Sequence, residues 1–121
     1  MRQLILIAED EYGLAEVVSQ LLSERGHDVD VAINGEAALM HMAARRPDLV
    51  LMDLMMPLLD GAGLVREMRS DPRLRDVPVV LMTSLPRAIP SDIAAMVQFV
   101  LLKPFTPDAL TAAIDSALRR E

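Results

Sequence analysis

Short runs of apolar residues recur along this chain, each followed by a stretch of helical periodicity. That alternation limits the possible folds more than any other feature. Leu4-Ile5-Leu6-Ile7-Ala8 is continuous and partly β-branched, as expected of a strand covered on both faces. From residue 12 to 25 the apolar positions Leu14, Val17, Val18, Leu21 and Leu22 form one helical face, and Gly26 is placed to end the helix. Val29, Val31 and Ile33 alternate with Asp30 and Ala32, which predicts a second strand nearer the sheet edge. Asn34-Gly35 turns the chain into a helix over 36–45, closed by Pro47. Leu49-Val50-Leu51-Met52 is a third buried strand that runs straight into Asp53, and a loop over 56–63 leads to a helix over 64–70. Val79-Val80-Leu81-Met82 is the fourth strand and ends at Thr83-Ser84. Pro86 and Pro90 break the next segment, leaving a short helix over 92–96. Phe99-Val100-Leu101-Leu102 is the fifth strand, ended by Lys103-Pro104. The last helix starts at Pro107, buries Leu110, Ala113, Ile114, Ala117 and Leu118, and runs to the C-terminus.

Five strand–helix units in strict alternation imply an open, doubly wound parallel sheet with helices on both faces. The commonest order at this size is the flavodoxin-like (βα)5 arrangement 2-1-3-4-5. A chain of 121 residues fits a single domain over 1–121 with one core. Only 2% of residues are aromatic, so that core must be aliphatic, with the 9 methionines as flexible filler. Without cysteine, disulfides and thiolate metal sites are excluded. The net charge of −6 argues against direct nucleic-acid binding, which needs a cationic field. The opening apolar run meets Glu9-Asp10-Glu11 far short of a membrane span and of an export signal, so the expected location is cytoplasmic.

In such a sheet ligands bind beyond the C-terminal ends of the strands. Glu9 and Asp10 follow the first strand, Asp53 the third, Thr83 the fourth and Lys103 the fifth. The order 2-1-3-4-5 makes these strands neighbours, so the groups converge. Three carboxylates repel one another unless a cation sits among them, and all-oxygen ligands favour Mg²⁺. Lys103 adds a second positive charge and Thr83 a hydroxyl donor, a pocket suited to a phosphoryl group carried on a carboxylate. Each feature alone has a plainer reading. The acidic run would favour the next helix dipole by about 0.3–1 kcal/mol, Asp53 could be a cap, and a lysine before proline is usually solvated. Their joint placement at one end of the sheet favours the site.

Four motifs then stand together: Ile5-Leu6-Ile7-Ala8-Glu9-Asp10-Glu11, Asp53-Leu54-Met55-Met56-Pro57-Leu58-Leu59-Asp60-Gly61, Thr83-Ser84 and Lys103-Pro104-Phe105. With them the chain resembles the receiver domain of two-component response regulators, of the chemotaxis type, over its whole length. The resemblance implies that Asp53 takes a phosphoryl group from the phosphohistidine of a sensor histidine kinase or phosphotransfer protein. It implies that Asp10 and Asp53 bind Mg²⁺ directly, Glu9 through water and Met55 through its backbone carbonyl, while Thr83 and Lys103 hold the phosphoryl oxygens. A cis Lys103-Pro104 bond would shape the reach of Lys103. Apolar Met55 and Leu85 would flank the path of hydrolytic water, so autodephosphorylation should be slow. The expected object is a self-phosphorylating signalling domain, not a turnover enzyme. Its partners would be the phosphodonor and a downstream target or an output domain outside these residues, with a homodimer through the last strand as a family habit.

The interval from Thr83 to Lys103 departs from the family pattern. It is shorter than in most receivers, and Val100 stands where a switch aromatic is usual, three residues before the lysine. Phe99 is one position off, so either a bulge re-aims it or it belongs to the core; the core position is expected. Segment 85–98 is expected to be the least ordered part of the unphosphorylated domain. A phosphorylation-independent pseudo-receiver, a pure interaction module, would normally have lost the acidic pair, the nucleophile or the lysine, and all are present. A flavodoxin-type protein would want a hydroxyl- or glycine-rich first loop and aromatics around a flavin, where this chain has an acidic loop. An aspartyl phosphatase would want a second acid two residues after Asp53, where Met55 stands.

Overall fold

The computed structural model describes residues 2–119. The elements follow in the order β1 (Leu4–Ala8), α1 (Tyr12–Glu24), β2 (Asp28–Ala32), α2 (Gly35–Ala44), β3 (Leu49–Asp53), α3 (Gly61–Ser70), β4 (Val79–Thr83), a 3₁₀ turn (Pro86–Ala88), α4 (Ser91–Ala94), β5 (Phe99–Leu102) and α5 (Pro107–Leu118). All strands are parallel and lie in the order β2-β1-β3-β4-β5, the doubly wound flavodoxin-like sheet that the alternation implies. Among the described residues no helix is long and apolar enough to cross a membrane.

Strand alternation divides the core in two. Leu6, Ala8, Val50, Met52, Val79 and Leu81 face Met42 of α2, Leu64, Val65 and Met68 of α3, and Ile93 of α4. Ile5, Ile7, Leu49, Leu51, Val80 and Met82 face Val18 and Leu22 of α1 and Leu110, Ala113 and Ile114 of α5. β1, β3 and β4 are buried throughout, whereas β2 and β5 at the edges are partly exposed. The methionines divide as well: Met42, Met52, Met56, Met68 and Met82 fill the core, while Met40 and Met55 are exposed and are not filler.

Local chemistry sets the element ends. Gly26 stops the chain after α1 with φ +92, a conformation costly for other residues. Asn34 caps α2 by accepting the Ala37 N–H at 2.7 Å. Asp60 caps α3 by accepting the Gly63 N–H at 2.8 Å, so α3 starts at Gly61 and not at residue 64. Val17 is corrected from core to surface. The buried arc of α1 centres on Ala15, Val18 and Leu22, and Val17 lies roughly 120° round the helix from it. Phe99 is corrected likewise. β5 pairs with β4 in unbroken register from Val80↔Phe99 to Thr83↔Leu102, so no bulge re-aims it. At the start of an edge strand it stays 37% exposed. β2 begins and ends one residue earlier than the alternation implies, and α4 is four residues long, not five. The end of the last helix as read from sequence falls on residues 120–121, outside the described residues.

Candidate functional site at the C-terminal ends of the strands

Each polar group of the site sits where a fully apolar strand stops. β1, β3 and β4 are buried along their whole length, which fixes the side chains that follow. Glu9 is the residue after β1 and is 2% exposed; Asp53 closes β3 and Thr83 closes β4, both buried. Asp10 is turned outward and exposed. Lys103 follows β5 and reaches back across the sheet, its Nζ 2.6 Å from Asp53 Oδ1 and 3.0 Å from Glu9 Oε1. Its backbone N–H donates to the Thr83 carbonyl at 2.9 Å, and the Lys103-Pro104 bond is cis.

The remaining carboxylate lone pairs are satisfied locally. Glu9 Oε2 accepts the Glu11 N–H at 3.1 Å, and Asp53 Oδ2 accepts the Met55 N–H at 3.0 Å. Ligand oxygens of Glu9, Asp10 and Asp53 all lie within 4.8 Å of one another, a hard, all-oxygen donor set that fits a small divalent cation. Burial is the main reason the Glu9 carboxyl is held above its ordinary value. The Lys103 ammonium and the Glu11 N–H oppose that rise, and the charge of Asp53 adds to it. For Lys103 burial is the largest single influence and pulls downward. Hydrogen bonds and charge from Asp53 and Glu9 together outweigh it and leave the ammonium raised, hence charged at neutral pH.

Five of the residues singled out from sequence therefore meet in one place: Glu9, Asp10, Asp53 and Lys103 directly, with Met55 through its backbone N–H. Thr83 lies at the next strand end, but its Oγ1 accepts the Leu85 N–H at 2.9 Å and makes no hydrogen bond to Asp53 or Lys103. The side chains of Met55 and Leu85 project into solvent beside the site. A cleft of about 340 Å³ opens next to Lys103, lined by Glu11, Leu14, Ser84, Pro104 and Phe105. Two further residues of the motif that begins at Asp53 shape the site. Gly61 brings α3 so close that a Cβ would lie 2.6 Å from the Asp53 carbonyl oxygen. Leu58, exposed in the loop after Asp53, is a non-glycine residue with positive φ, at +71.

Residues 5–115 match the sequence profile of the response regulator receiver domain. The chain belongs to that family. Receiver domains receive phosphoryl signals in two-component systems. Similar proteins include the probable transcriptional regulator ycf27 of Porphyridium aerugineum, 36% identical over 98% of this chain and 49% of that protein. The DNA-binding response regulator MtrA of Mycolicibacterium paratuberculosis is 36% identical over 99% of this receiver and 53% of its own length. The chain thus spans about half the length of the curated relatives it matches. Among solved structures, the receiver domain of a sensor histidine kinase from Pseudomonas aeruginosa superposes with TM-score 0.90 at 27% identity, covering 99% of this chain and 100% of that one. That structure has a magnesium ion coordinated in its active-site cleft. The chemotaxis regulator CheY4 of Vibrio cholerae, at 24% identity and TM-score 0.88 over 98% and 100% of the two chains, shares the fold alone. The chemotaxis assignment is therefore withdrawn in favour of the broader family.

Proposed function

We propose that residues 1–121 form one receiver unit that accepts a phosphoryl group on Asp53 from a phosphohistidine and changes its surface in response. The observation that carries this reading is the meeting of Asp53 and Glu9 on the Lys103 ammonium, at 2.6 and 3.0 Å, from the ends of three different strands, with Asp10 beside them. An Asp53 carboxylate oxygen forms the new O–P bond while the N–P bond to the donor imidazole breaks. The bonding pair leaves with that nitrogen. The transition state is loose, so the protein's work is alignment and charge compensation, not covalent assistance. Asp53 Oδ2 is fixed by the Met55 N–H, which leaves Oδ1, now held by Lys103, as the oxygen to attack. Lys103 then exchanges a carboxylate for a phosphoryl oxygen, and Thr83 supplies a hydroxyl. Glu9, Asp10, Asp53 and the Met55 carbonyl are the groups that would hold Mg²⁺. When bound, the ion neutralises the phosphoryl oxygens and the acidic cluster together.

The donor is a sensor histidine kinase or a phosphotransfer protein in the cytoplasm. Because the matched relatives are about twice as long and one is named as DNA-binding, we read the response as passing to an output domain outside these residues, with self-association through β5 as one route. The decisive experiment exposes wild type and Asp53→Ala to phosphoramidate and Mg²⁺ and records intact mass. One phosphoryl unit is expected on wild type and none on the variant. Equal uptake overturns Asp53 as acceptor, and no uptake in either makes the chain a phosphorylation-independent module.

A further inference from the structure

The outer face of α2 lacks the polarity of a solvent-facing helix. Between Glu36 and Arg45 it carries no Lys, Arg, Asp or Glu. Its buried side is Gly35, Ala38 and Met42. Met40 lies roughly 160° round the helix from Ala38 and from Met42, and it is 74% exposed. Ala43 and Ala44 are exposed on the same turns. The other long helices show polar groups in such places: Glu16 and Gln20 on α1, Arg66 and Glu67 on α3, Asp108 and Ser116 on α5. A helix that is apolar all round is ordinarily a covered one. Here one side packs on β1 and β2, at the far edge of the sheet from β5, and the other faces solvent.

The shape and charge of that side are complementary to themselves. Met40 stands at the rim of an open hollow of about 310 Å³ whose other walls are Ala37, His41 and Ala44. The two ends of the helix have opposite sign, with Glu36 in the first turn and Arg45 and Arg46 just beyond the last. Among the described residues the Glu36 side chain makes no hydrogen bond or ion pair. Arg45 has one carboxylate near it, Asp28 at 3.6 Å, and Arg46 gives its Nε to the Arg73 carbonyl and has no carboxylate partner. Glu36 is four residues before Met40 and Arg45 five after, about 6 and 7.5 Å along the axis. A two-fold axis through Met40 that sets two copies of α2 antiparallel therefore brings each Glu36 to the other copy's Arg45, and each thioether to the other's hollow. A parallel pair would set Glu36 against Glu36, and a charged partner surface would strand its charges on the apolar centre.

We propose that α2 is a self-association surface, on which two copies of this chain pair antiparallel about Met40. The pairing needs no phosphoryl transfer and leaves the strand-end site and β5 uncovered. Methionine suits the centre of such a contact, because its unbranched side chain adapts to the hollow it enters. One helix against one helix belongs to the small class of interface, under about 1,200 Å². The pair is therefore weak and forms as the protein is concentrated.

Sedimentation equilibrium on the whole chain, from about 10 μM to about 1 mM, tests this. The mean mass of wild type should climb from monomer towards dimer. Met40→Lys keeps a good helix former at an exposed position and spares the fold. It should raise the dissociation constant by about tenfold or more, with an unchanged thermal melt. Glu36→Lys should weaken the pair by about threefold, and adding Arg45→Glu to it should restore the affinity. Because the chain has no cysteine, Met40→Cys is a reporter without background. Mild oxidation should link two chains through position 40, whereas Glu67→Cys on α3 should stay unlinked. A wild type that remains monomeric at the highest concentration overturns the proposal. So does association that Met40→Lys leaves intact or that Leu102→Ser on β5 abolishes, and equal linking at positions 40 and 67. Failure of Arg45→Glu to rescue Glu36→Lys overturns the antiparallel arrangement.

Discussion

Glu9 joins almost complete burial to a carboxylate paired with the Lys103 ammonium, and its protonation therefore bears on stability. Its folded value is raised, so protons favour the native metal-free protein. That contribution is full below the ordinary glutamate value and is lost as pH rises through the raised one. Asp28 and Asp92 are lowered by Arg2 and Arg66 and act in the opposite sense, but below the ordinary aspartate value and so outside this window. Metal-free protein should accordingly lose urea resistance as pH rises above the ordinary glutamate value. Glu9→Gln should flatten the profile, and a rise over that pH range in wild type would contradict the assignment. Met55 makes a separate prediction. Its exposed thioether has no donor and accepts only weakly, so it does little to orient an incoming water and the aspartyl phosphate should be long-lived. Met55→Asn should shorten its half-life roughly tenfold, about 1.4 kcal/mol of barrier, measured by loss of phosphoryl mass over time.

Among the elements, the junction between α2 and the loop after Asp53 tolerates least. A Cβ on Gly35 would lie 2.1 Å from the Leu59 carbonyl oxygen, so Gly35→Ala must push the loop aside. The helix-propensity gain of about 1 kcal/mol should be overridden by a clash of about 1–3 kcal/mol, visible as a lower urea midpoint. Leu58 in the same loop carries its side chain at φ +71 with 74% exposure. Leu58→Asn, which accepts that backbone at lower cost, should raise stability by about 0.5 kcal/mol. Such details mark the limit of what the chain discloses in linear form. The strands and the strand-end carboxylates were legible because buried parallel strands are continuous apolar runs and any polar break in them stands out, whereas the strand order came from the commonest arrangement at this size. Arg69, which donates to the carbonyls of Met96, Arg75 and Val77, was not legible, since every residue has a carbonyl oxygen. Phe99 was misread because alternation gives the face of a strand but not how far cover extends along an edge. Val17 was misread because a helical face has an arc whose centre depends on what packs against it.

For the molecule as a whole, the acidic cluster is a local defect that a ligand of the folded state can relieve. Mg²⁺ at one hundred times its dissociation constant should stabilise the fold by about 2.7 kcal/mol. Asp10→Asn, which removes an exposed member of the cluster without touching the Lys103 bridge, should abolish most of that gain in a thermal melt. A gain equal to wild type would place the ion elsewhere. The reach of Lys103 has a last consequence, in the order of synthesis. Glu9 and Lys103 are 94 positions apart, and Asp53 stands between them. A ribosome that has released the first four strands has made Glu9, Asp10 and Asp53 but not the ammonium that bridges Glu9 and Asp53. The strand-end cluster is completed only when the fifth strand docks, so a nascent or truncated chain lacking that strand presents Asp53 without its cationic partner.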